Sequence, residues 1–388
     1  MIKANTLPGD IDQVTVPSTF SVTAIASGSK CRLRLLMASS PSDGSVLPAG
    51  PRAELGSLGH LILERVAQGD GTPEEVFDRS VREVSKRLAA NERTSGYSDL
   101  QRVLGPPAWS RFQADVLQRC TRLHISIRSR RGRPQSQAGL NPGRERSIVS
   151  NELRLRGRID LLRRLPSGDW EIRDYKLGHI FDGKGAIREE IVLQLRCYGL
   201  LVLEHEMSAN IRLLVDNGQE HNVAFETKER KEVRRLIRRV ARMLPAGEEV
   251  SAAEIATPGE SCADCPIRHR CTSYRTAAPG WWQLDSGSPT ELAADVWGPV
   301  VAHGRTSKQN NVTLRDAAGR DVKIDRLDPR RFLAKSMIGK MLWFFGLEST
   351  VTRRTSDGRY IQPITFHELP ADSSQRQAWG LQVFTERE

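Results

Sequence analysis

The amino-acid sequence predicts an α/β (α+β) protein, in which a mixed sheet flanked by helices is followed by a small β-barrel. Three observations lead to this fold class. Helical periodicity dominates the first third of the chain, and alternating apolar residues predict strands from residue 144 onward. After Cys271 the composition changes, and short strand patterns return. A length of 388 residues suits two or three domains of ordinary size.

The first third of the chain carries clear signals for helix ends. Amphipathic patterns cover residues 18–38, 53–69, 72–91 and 107–129. The second pattern ends at Gly69, and the third begins with Thr72 and Pro73 followed by two glutamates. These residue types suit an N-cap and a first helical turn. We therefore expect helices in each of these four stretches.

The central part of the chain predicts a sheet that begins with a hairpin. Residues 144–165 alternate between apolar and polar side chains, the turn sequence "PSGD" follows, and "WEIRDYKLG" forms the second arm. Residues 189–206 then predict an apolar helix, and residues 210–226 predict a second hairpin around Asn217 and Gly218.

The last part of the chain predicts a separate small domain. Residues 276–294 have the composition of a linker, and residues 295–370 follow as a run of five predicted strands. One helix, at residues 329–338, is predicted between the third strand and the fourth. This is the order of elements in an OB-fold, a five-stranded barrel.

The charge of the chain indicates a polyanionic partner. The formal net charge is +11, and basic residues cluster in "SIRSRRGRP" (126–134) and "KERKEVRRLIRRVARML" (228–244). Nucleic acid is the commonest such partner. The sequence contains no apolar run long enough for a membrane span, and its N-terminus lacks the apolar core of a secretory signal. We therefore expect a cytoplasmic protein with no membrane partner.

The stretch "EIRDYKLG" (171–178) places two charged groups on a strand face that Ile172 predicts to be buried. Asp174 and Lys176 are two residues apart and point to the same side of a strand. They could simply form an ion pair, but a hairpin could also bring Asp160 of "GRIDLL" beside Asp174. Two neighbouring carboxylates repel each other unless a divalent cation lies between them. With a lysine to orient water, this arrangement predicts metal-assisted phosphodiester hydrolysis.

The six cysteines suggest a second metal site, because disulfides are disfavoured in a reducing cytoplasm. Cys262, Cys265 and Cys271 lie close together in "CADCPIRHRC". Tetrahedral metal centres use four ligands, so three clustered cysteines leave one ligand to be found elsewhere. Cys120 and Cys197 lie in predicted helices with no cysteine near them in sequence, and we expect both to be ordinary core thiols.

These motifs resemble the PD-(D/E)xK nuclease superfamily and, within it, the RecB-like branch. In chain order, "LGHLILE", "GRID", "EIRDYKLG" and "QLRCY" are similar to motifs of that branch and follow one another as they do there. The resemblance implies a restriction-endonuclease-like nuclease domain over residues 18–275 and a site that binds Mg²⁺ or Mn²⁺. It also implies roles for six side chains: Asp160, Asp174 and Lys176 would be catalytic, Gln194 and Tyr198 would bind substrate, and His60 would join Asp160 and Asp174 as a metal ligand.

The arrangement of the cysteines resembles the iron–sulfur RecB-like nucleases, which include AddB-type subunits and CRISPR-associated exonucleases. These proteins have one cysteine before the nuclease core and three after it. The resemblance implies that Cys31 joins Cys262, Cys265 and Cys271 in holding a 4Fe–4S cluster, with zinc as the alternative. The chain contains no G-x-x-x-x-G-K-[ST] motif, so it is not an AddB-like helicase fusion.

The motifs together predict a metal-dependent DNA nuclease, expected to be an exodeoxyribonuclease. Its substrate would be single-stranded or end-containing DNA in antiviral defence, CRISPR adaptation or DNA recombination and repair, where it would work with a protein partner. The OB-like barrel would bind single-stranded DNA. Two alternatives belong to other classes: a non-catalytic nucleic-acid-binding scaffold that retains the fold, and a zinc-stabilised RNA-binding protein built on the barrel.

Overall fold

The structure of the protein is a computed structural model. The structure describes residues 5–28, 30–40, 46–91, 93–95, 98–128, 143–178, 180–207, 210–281, 294–305, 310–317, 319, 321–327, 337–350, 365–368 and 381–386. The basic segment at 126–134 falls outside these residues from position 129 onward, as does most of the helix predicted at 329–338.

The described helices and strands follow the predicted order. The helices are α1 (Val22–Gly28), α2 (Arg32–Ser39), α3 (Pro51–Gln68), α4 (Pro73–Ala90), α5 (Leu100–Leu104), α6 (Pro106–Arg128), α7 (Glu189–His205), α8 (Thr227–Met243), α9 (Ala252–Ile255) and α10 (Thr272–Trp281). The strands of the first two-thirds of the chain are β1 (Asn5–Thr6), β2 (Gln13–Thr15), β3 (Phe20–Ser21), β4 (Gly143–Ser150), β5 (Leu155–Arg164), β6 (Trp170–Tyr175), β7 (Ile211–Asp216), β8 (Glu220–Val223) and β9 (Glu249–Ser251). The remaining strands are β10 (Ala294–Arg305), β11 (Asn310–Arg315), β12 (Asp321–Leu327), β13 (Met341–Thr350), β14 (Thr365–Glu368) and β15 (Gln382–Thr385).

The first sheet is mixed, as the sequence predicts. Its strand order is β3-β5-β6-β7-β8, with β4 paired to β5. Strands β5 and β6 form an antiparallel hairpin, whereas β6 and β7 are parallel. The parallel pair needs a long crossover connection, and the apolar helix α7 provides it.

Helices cover this sheet in two groups with separate apolar cores. The larger core joins the sheet to α1, α2 and α7, and the smaller one joins α3, α4 and α6 to Tyr175 and Leu177 at the end of β6. The predicted ends of α3 and α4 are confirmed, because Gly69 adopts a left-handed φ of 83° and Thr72 forms a capping box with Glu75. The helix predicted within residues 18–38 is instead two helices, and Cys31 lies in the break between them.

The second sheet closes on itself. Strands β10, β11, β12, β14 and β13 pair in that order, and β13 pairs back to β10. The pairing of β12 with β14 is parallel, and the other four pairings in the ring are antiparallel. The restriction-endonuclease-like mixed sheet is therefore followed by a second sheet compatible with a small barrel.

Two features at the edges of this second sheet differ from the sequence prediction. The stretch expected to be a linker from residue 276 is helical as far as Trp281, because Tyr274 and Ala278 of α10 are fully buried. Two short strands, β1 and β15, extend the sheet at β13 although both lie outside residues 295–370. Such short strands form through distant pairing, which local sequence patterns do not reveal.

In the part of the chain that the structure describes, no helix combines the length and the apolar character needed to cross a bilayer.

Candidate active site

The two aspartates lie side by side at one end of the β5–β6 hairpin. Leu161 of β5 pairs with Arg173 of β6, so the next position in the same register sets Asp160 opposite Asp174. Asp160 Oδ2 accepts a hydrogen bond from the backbone N–H of Tyr175 at 2.8 Å, which fixes this carboxylate against the neighbouring strand. The Asp174 side chain is only 3% exposed. The hairpin therefore brings together the two carboxylates that the sequence proposes as metal ligands.

Lys176 links the carboxylates to helix α7. Its Nζ lies 2.8 Å from Asp174 Oδ2 and donates a hydrogen bond to Gln194 Oε1 at 3.1 Å. Gln194 in turn donates from Nε2 to the Tyr198 hydroxyl at 3.2 Å. The ion pair within the strand is thus present, but it is one part of a chain of polar contacts that crosses from β6 to α7.

The place of Tyr198 depends on a glycine in β5. A Cβ atom built on Gly157 would lie 2.6 Å from Tyr198 Cε1, a distance that real Cβ contacts do not show. Gly157 therefore leaves the space that the tyrosine ring occupies over the strand. Burial raises the pKa of Tyr198 far above its ordinary value, so the hydroxyl remains protonated.

His60 reaches the carboxylates from helix α3. Its Nδ1 lies 3.8 Å from Asp160 Oδ2, and its side chain is 34% exposed. Burial is the main cause that lowers the pKa of His60; Asp174 opposes this effect, and Lys176 and Arg119 add to it. The imidazole is therefore neutral at pH 7, the form in which histidine binds metal ions.

Close packing of α3 on the end of β6 sets the position of His60. Leu177 follows Lys176 directly, and a Cβ atom on Gly59 would lie 1.8 Å from Leu177 Cδ1. Because Gly59 has no side chain, the helix approaches this closely while Leu177 keeps its observed conformation. The "GH" pair in "LGHLILE" thus combines a close contact with a polar side chain next to Asp160.

Arg119 of α6 also contacts the site, although the sequence did not suggest it. Its Nη1 donates to the backbone carbonyl of Lys176 at 2.9 Å, and its Nε donates to Asp115 Oδ1 at 3.1 Å. The residue is 8% exposed. An Asp–Arg pair four residues apart on a helix is typical of a solvent-exposed surface, so sequence alone gave no reason to place this pair at the site.

The donor set beside β6 suits a hard divalent cation. Two carboxylates and a neutral imidazole are common ligands of such ions, and the buried Asp174 Oδ2 accepts no hydrogen bond although Lys176 lies beside it. Among the described residues, no group of three or more His, Cys, Asp or Glu side chains is already arranged to hold a metal ion.

Four cysteines line a second cavity, away from the aspartates. Cys31, Cys262, Cys265 and Cys271 line one small cavity, together with Arg268, Tyr274 and other residues. All four are free thiols. Burial raises the pKa of Cys262 to about 11 and that of Cys265 to about 12, so both are protonated unless a metal displaces the proton.

The other two cysteines are found where they were expected. Cys120 and Cys197 are fully buried in the two separate apolar cores, outside the cavity.

Comparisons with known proteins place the chain in a family. The sequence model of the PD-(D/E)XK nuclease superfamily matches residues 19–272. A solved structure titled "Crystal structure of SSO0001" is 15% identical in sequence, with a TM-score of 0.24; the match covers 98% of that chain and 56% of this one. No curated protein matches the chain significantly. Because the family match spans well over half of the 388 residues, from the strand before α1 to the last clustered cysteine, the chain belongs to the PD-(D/E)XK nuclease superfamily.

Proposed function

We propose that this protein is a metal-dependent DNA nuclease of the RecB-like branch that hydrolyses phosphodiester bonds. One observation carries the proposal: Asp160 and Asp174 occupy adjacent positions of a hairpin, with Lys176 held between Asp174 and Gln194. A hairpin that served only stability would gain little from two neighbouring carboxylates, since like charges repel each other. Their juxtaposition is useful when a cation lies between them.

The residues of the site would have distinct roles in catalysis. Asp160 and Asp174, with His60 on the open side, would hold Mg²⁺ or Mn²⁺. A bound cation of this kind would lower the pKa of a coordinated water and offset the charge of the phosphate. Lys176 would hold the attacking water and the phosphate oxygen by donating hydrogen bonds from Nζ.

Gln194 and Tyr198 would keep Lys176 in place and contact the substrate strand. Gln194 accepts a hydrogen bond from Lys176 and donates one to Tyr198, so the buried tyrosine holds Gln194, which in turn holds the ammonium end of the lysine. Arg119 would fix the lysine from its backbone side. The residues therefore constrain Lys176 at both of its ends, as catalysis by positioned groups requires.

Substrate binding would rest on the basic surface of the protein. Helix α8 buries Val233, Ile237 and Val240 and carries a row of exposed cations on its other side. These cations are Lys228, Lys231, Arg235, Arg238, Arg239 and Arg242. Such a row would attract DNA phosphates, and binding would weaken as salt rises. The resemblance to RecB-like nucleases favours single-stranded or end-containing DNA in defence, CRISPR adaptation or recombination.

The four-cysteine cavity would hold a metal centre. Four thiols suit either a 4Fe–4S cluster or zinc as ligands, and we propose the cluster because one cysteine precedes the nuclease core and three follow it. The second sheet would be OB-like, since its ring of five strands runs 1-2-3-5-4 in chain order with the third and fifth strands parallel.

Cleavage assays with end-labelled DNA test the proposed activity. Purified protein should degrade single- or double-stranded DNA with Mn²⁺ and leave it intact with EDTA. Asp160→Ala and Asp174→Ala should abolish cleavage while DNA binding is retained, because each removes a metal ligand. Asp169→Ala is the matched control, since Asp169 lies in the turn at the opposite end of the same hairpin. Undiminished cleavage by either of the first two variants would refute the assignment.

A further inference from the structure

The second sheet is joined to the cysteine segment, defined here as residues 260–281, by a fully buried carboxylate. Asp295 at the start of β10 accepts hydrogen bonds from Arg268 Nε at 2.6 Å, from Arg268 Nη2 at 3.2 Å and from the Tyr274 hydroxyl at 2.5 Å. The backbone N–H of Gly346 in β13 adds a fourth donor at 2.7 Å. Asp295 is 0% exposed and Arg268 is 2% exposed. This ion pair therefore lies in the interior, between two parts of the chain.

Arg268 connects this ion pair to the cysteine cavity. Its Nη1 donates to the backbone carbonyl of Cys265 at 3.2 Å, and its side chain lines the same cavity as the four cysteines. Tyr274, the other partner of Asp295, also lines that cavity, and its backbone N–H contacts Cys271 Sγ at 3.4 Å. Movement of Asp295 would therefore act on two of the clustered cysteines.

Aromatic side chains make a second set of contacts across the same interface. His269 is fully buried; it stacks on Phe384 of β15 with ring centroids 5.5 Å apart and meets the edge of Phe345 at 5.9 Å. Arg275 lies over the Trp343 ring at 5.3 Å. These aromatic groups of the second sheet thus pack against the cysteine segment, and Phe345 and Phe384 are fully buried there.

Strands β11 and β12 of the same sheet have a different composition. Neither β11 nor β12 contains an aromatic residue on which a base could stack. Among the described side chains of these strands, Arg315 pairs with Asp321 at 2.9 Å and Lys323 with Asp325 at 3.5 Å. Within β11 and β12, therefore, no aromatic platform for stacked bases is present, and the contacts that the structure describes for this sheet include those to the cysteine segment.

We propose that docking of the second sheet and occupancy of the four-cysteine site stabilise each other. The proposal rests on the metal centre proposed above and adds a regulation of that site by the C-terminal domain. A buried arginine is strongly destabilising once its carboxylate is lost, so undocking would loosen the turn that carries Cys265 and Cys271. Because coupling of two equilibria is reciprocal, loss of the metal would in turn weaken docking.

The rate of metal release to a chelator tests this coupling. After iron and zinc have been quantified in anaerobically purified full-length protein, Asp295→Asn should release the metal at least tenfold faster than the wild type. Phe384→Leu, which removes the ring stacked on His269 from the distant strand β15, should release it several-fold faster and still fold. Asp321→Asn is the matched control, because it removes an exposed carboxylate from the same sheet and should not change the rate.

The outcomes of the experiment distinguish failure of the coupling from failure of the proposed metal centre. Metal that is present but released at the wild-type rate by both Asp295→Asn and Phe384→Leu would overturn the coupling and leave the metal centre standing. If Asp295→Asn does not fold, Phe384→Leu decides alone. Protein that contains neither iron nor zinc would overturn the metal centre and the coupling together. A red shift of tryptophan emission on metal removal would support the reciprocal effect, since Trp297 and Trp343 stack at this interface.

Discussion

Two glycines on helix α3, one turn apart, provide a sharp test of how His60 is positioned. A Cβ atom on Gly56 would meet no atom within 4 Å, whereas a Cβ atom on Gly59 would lie 1.8 Å from Leu177 Cδ1 and 3.2 Å from its Cγ. Gly56→Ala and Gly59→Ala are thus the same chemical change on the same helix. Only the second requires a shift, either of the Leu177 side chain or of α3 relative to the strand end that carries Lys176.

The expected magnitudes follow from two opposing effects. Replacing glycine by alanine inside a helix stabilises it by about 0.5–1 kcal/mol, and this gain applies to both variants. Forcing an additional methyl group into a packed core costs about 1–3 kcal/mol, and this cost applies only at Gly59. Gly56→Ala should therefore raise the free energy of unfolding, and Gly59→Ala should lie about 1–3 kcal/mol below it.

Urea denaturation at constant m-value measures this difference, and a cleavage assay on the same samples measures its effect on the site. Gly59→Ala should also lose turnover, because His60 and Lys176 flank the strained contact. The double variant Gly59→Ala/Leu177→Ala removes the clashing side chain and should recover part of the activity. Equal stabilisation by both single variants would refute the packing argument.

Two further predictions concern the cysteines and His60. Cys31→Ser should abolish the broad visible absorption expected of an iron–sulfur cluster and lower the melting temperature. The reason is that a shared metal centre closes a loop from Cys31 to Cys262, and closing this loop is worth about 5 kcal/mol in the chain-entropy description. Cys120→Ser, a change in the other apolar core, should leave the absorption unaltered, and colourless protein with stoichiometric zinc would contradict the cluster but not the four-cysteine site. Because burial lowers the pKa of His60 below its ordinary 6.5, the unfolded chain binds a proton that the folded protein does not, so stability should be lost as pH falls below about 6.5. His60→Gln should flatten this part of the pH profile in metal-free protein, and an unchanged profile would contradict a lowered pKa of the half-buried imidazole.

Local signals made much of the nuclease domain predictable. The alternating arms around "PSGD" predict the β5–β6 hairpin, and its register then brings Asp160 next to Asp174. Gly69, Thr72 and Pro73 mark helix ends because their backbone or side-chain chemistry acts within a few residues. The spacing of Gln194 and Tyr198 likewise places both on one face of a helix.

Interactions between distant residues could not be predicted in this way. Asp295 is adjacent in sequence to an apparent linker, yet its charge is buried by Arg268, which lies 27 residues earlier in the chain. Arg119 donates to the carbonyl of Lys176 from 57 residues away, and nothing in its own helix signals that contact. Strand β15 forms only because β13 provides an edge for pairing. These features depend on tertiary packing, which overrides local pattern.

The most direct measurement of the central claim is Mn²⁺ binding to the wild type and three variants by titration calorimetry. If Asp160 and Asp174 hold the cation, Asp160→Ala and Asp174→Ala should each weaken Mn²⁺ binding by at least tenfold. Lys176→Ala should retain binding and lose cleavage, because the lysine acts on water and phosphate. Wild-type Mn²⁺ affinity in both aspartate variants, or loss of Mn²⁺ binding in Lys176→Ala alone, would contradict the proposed site.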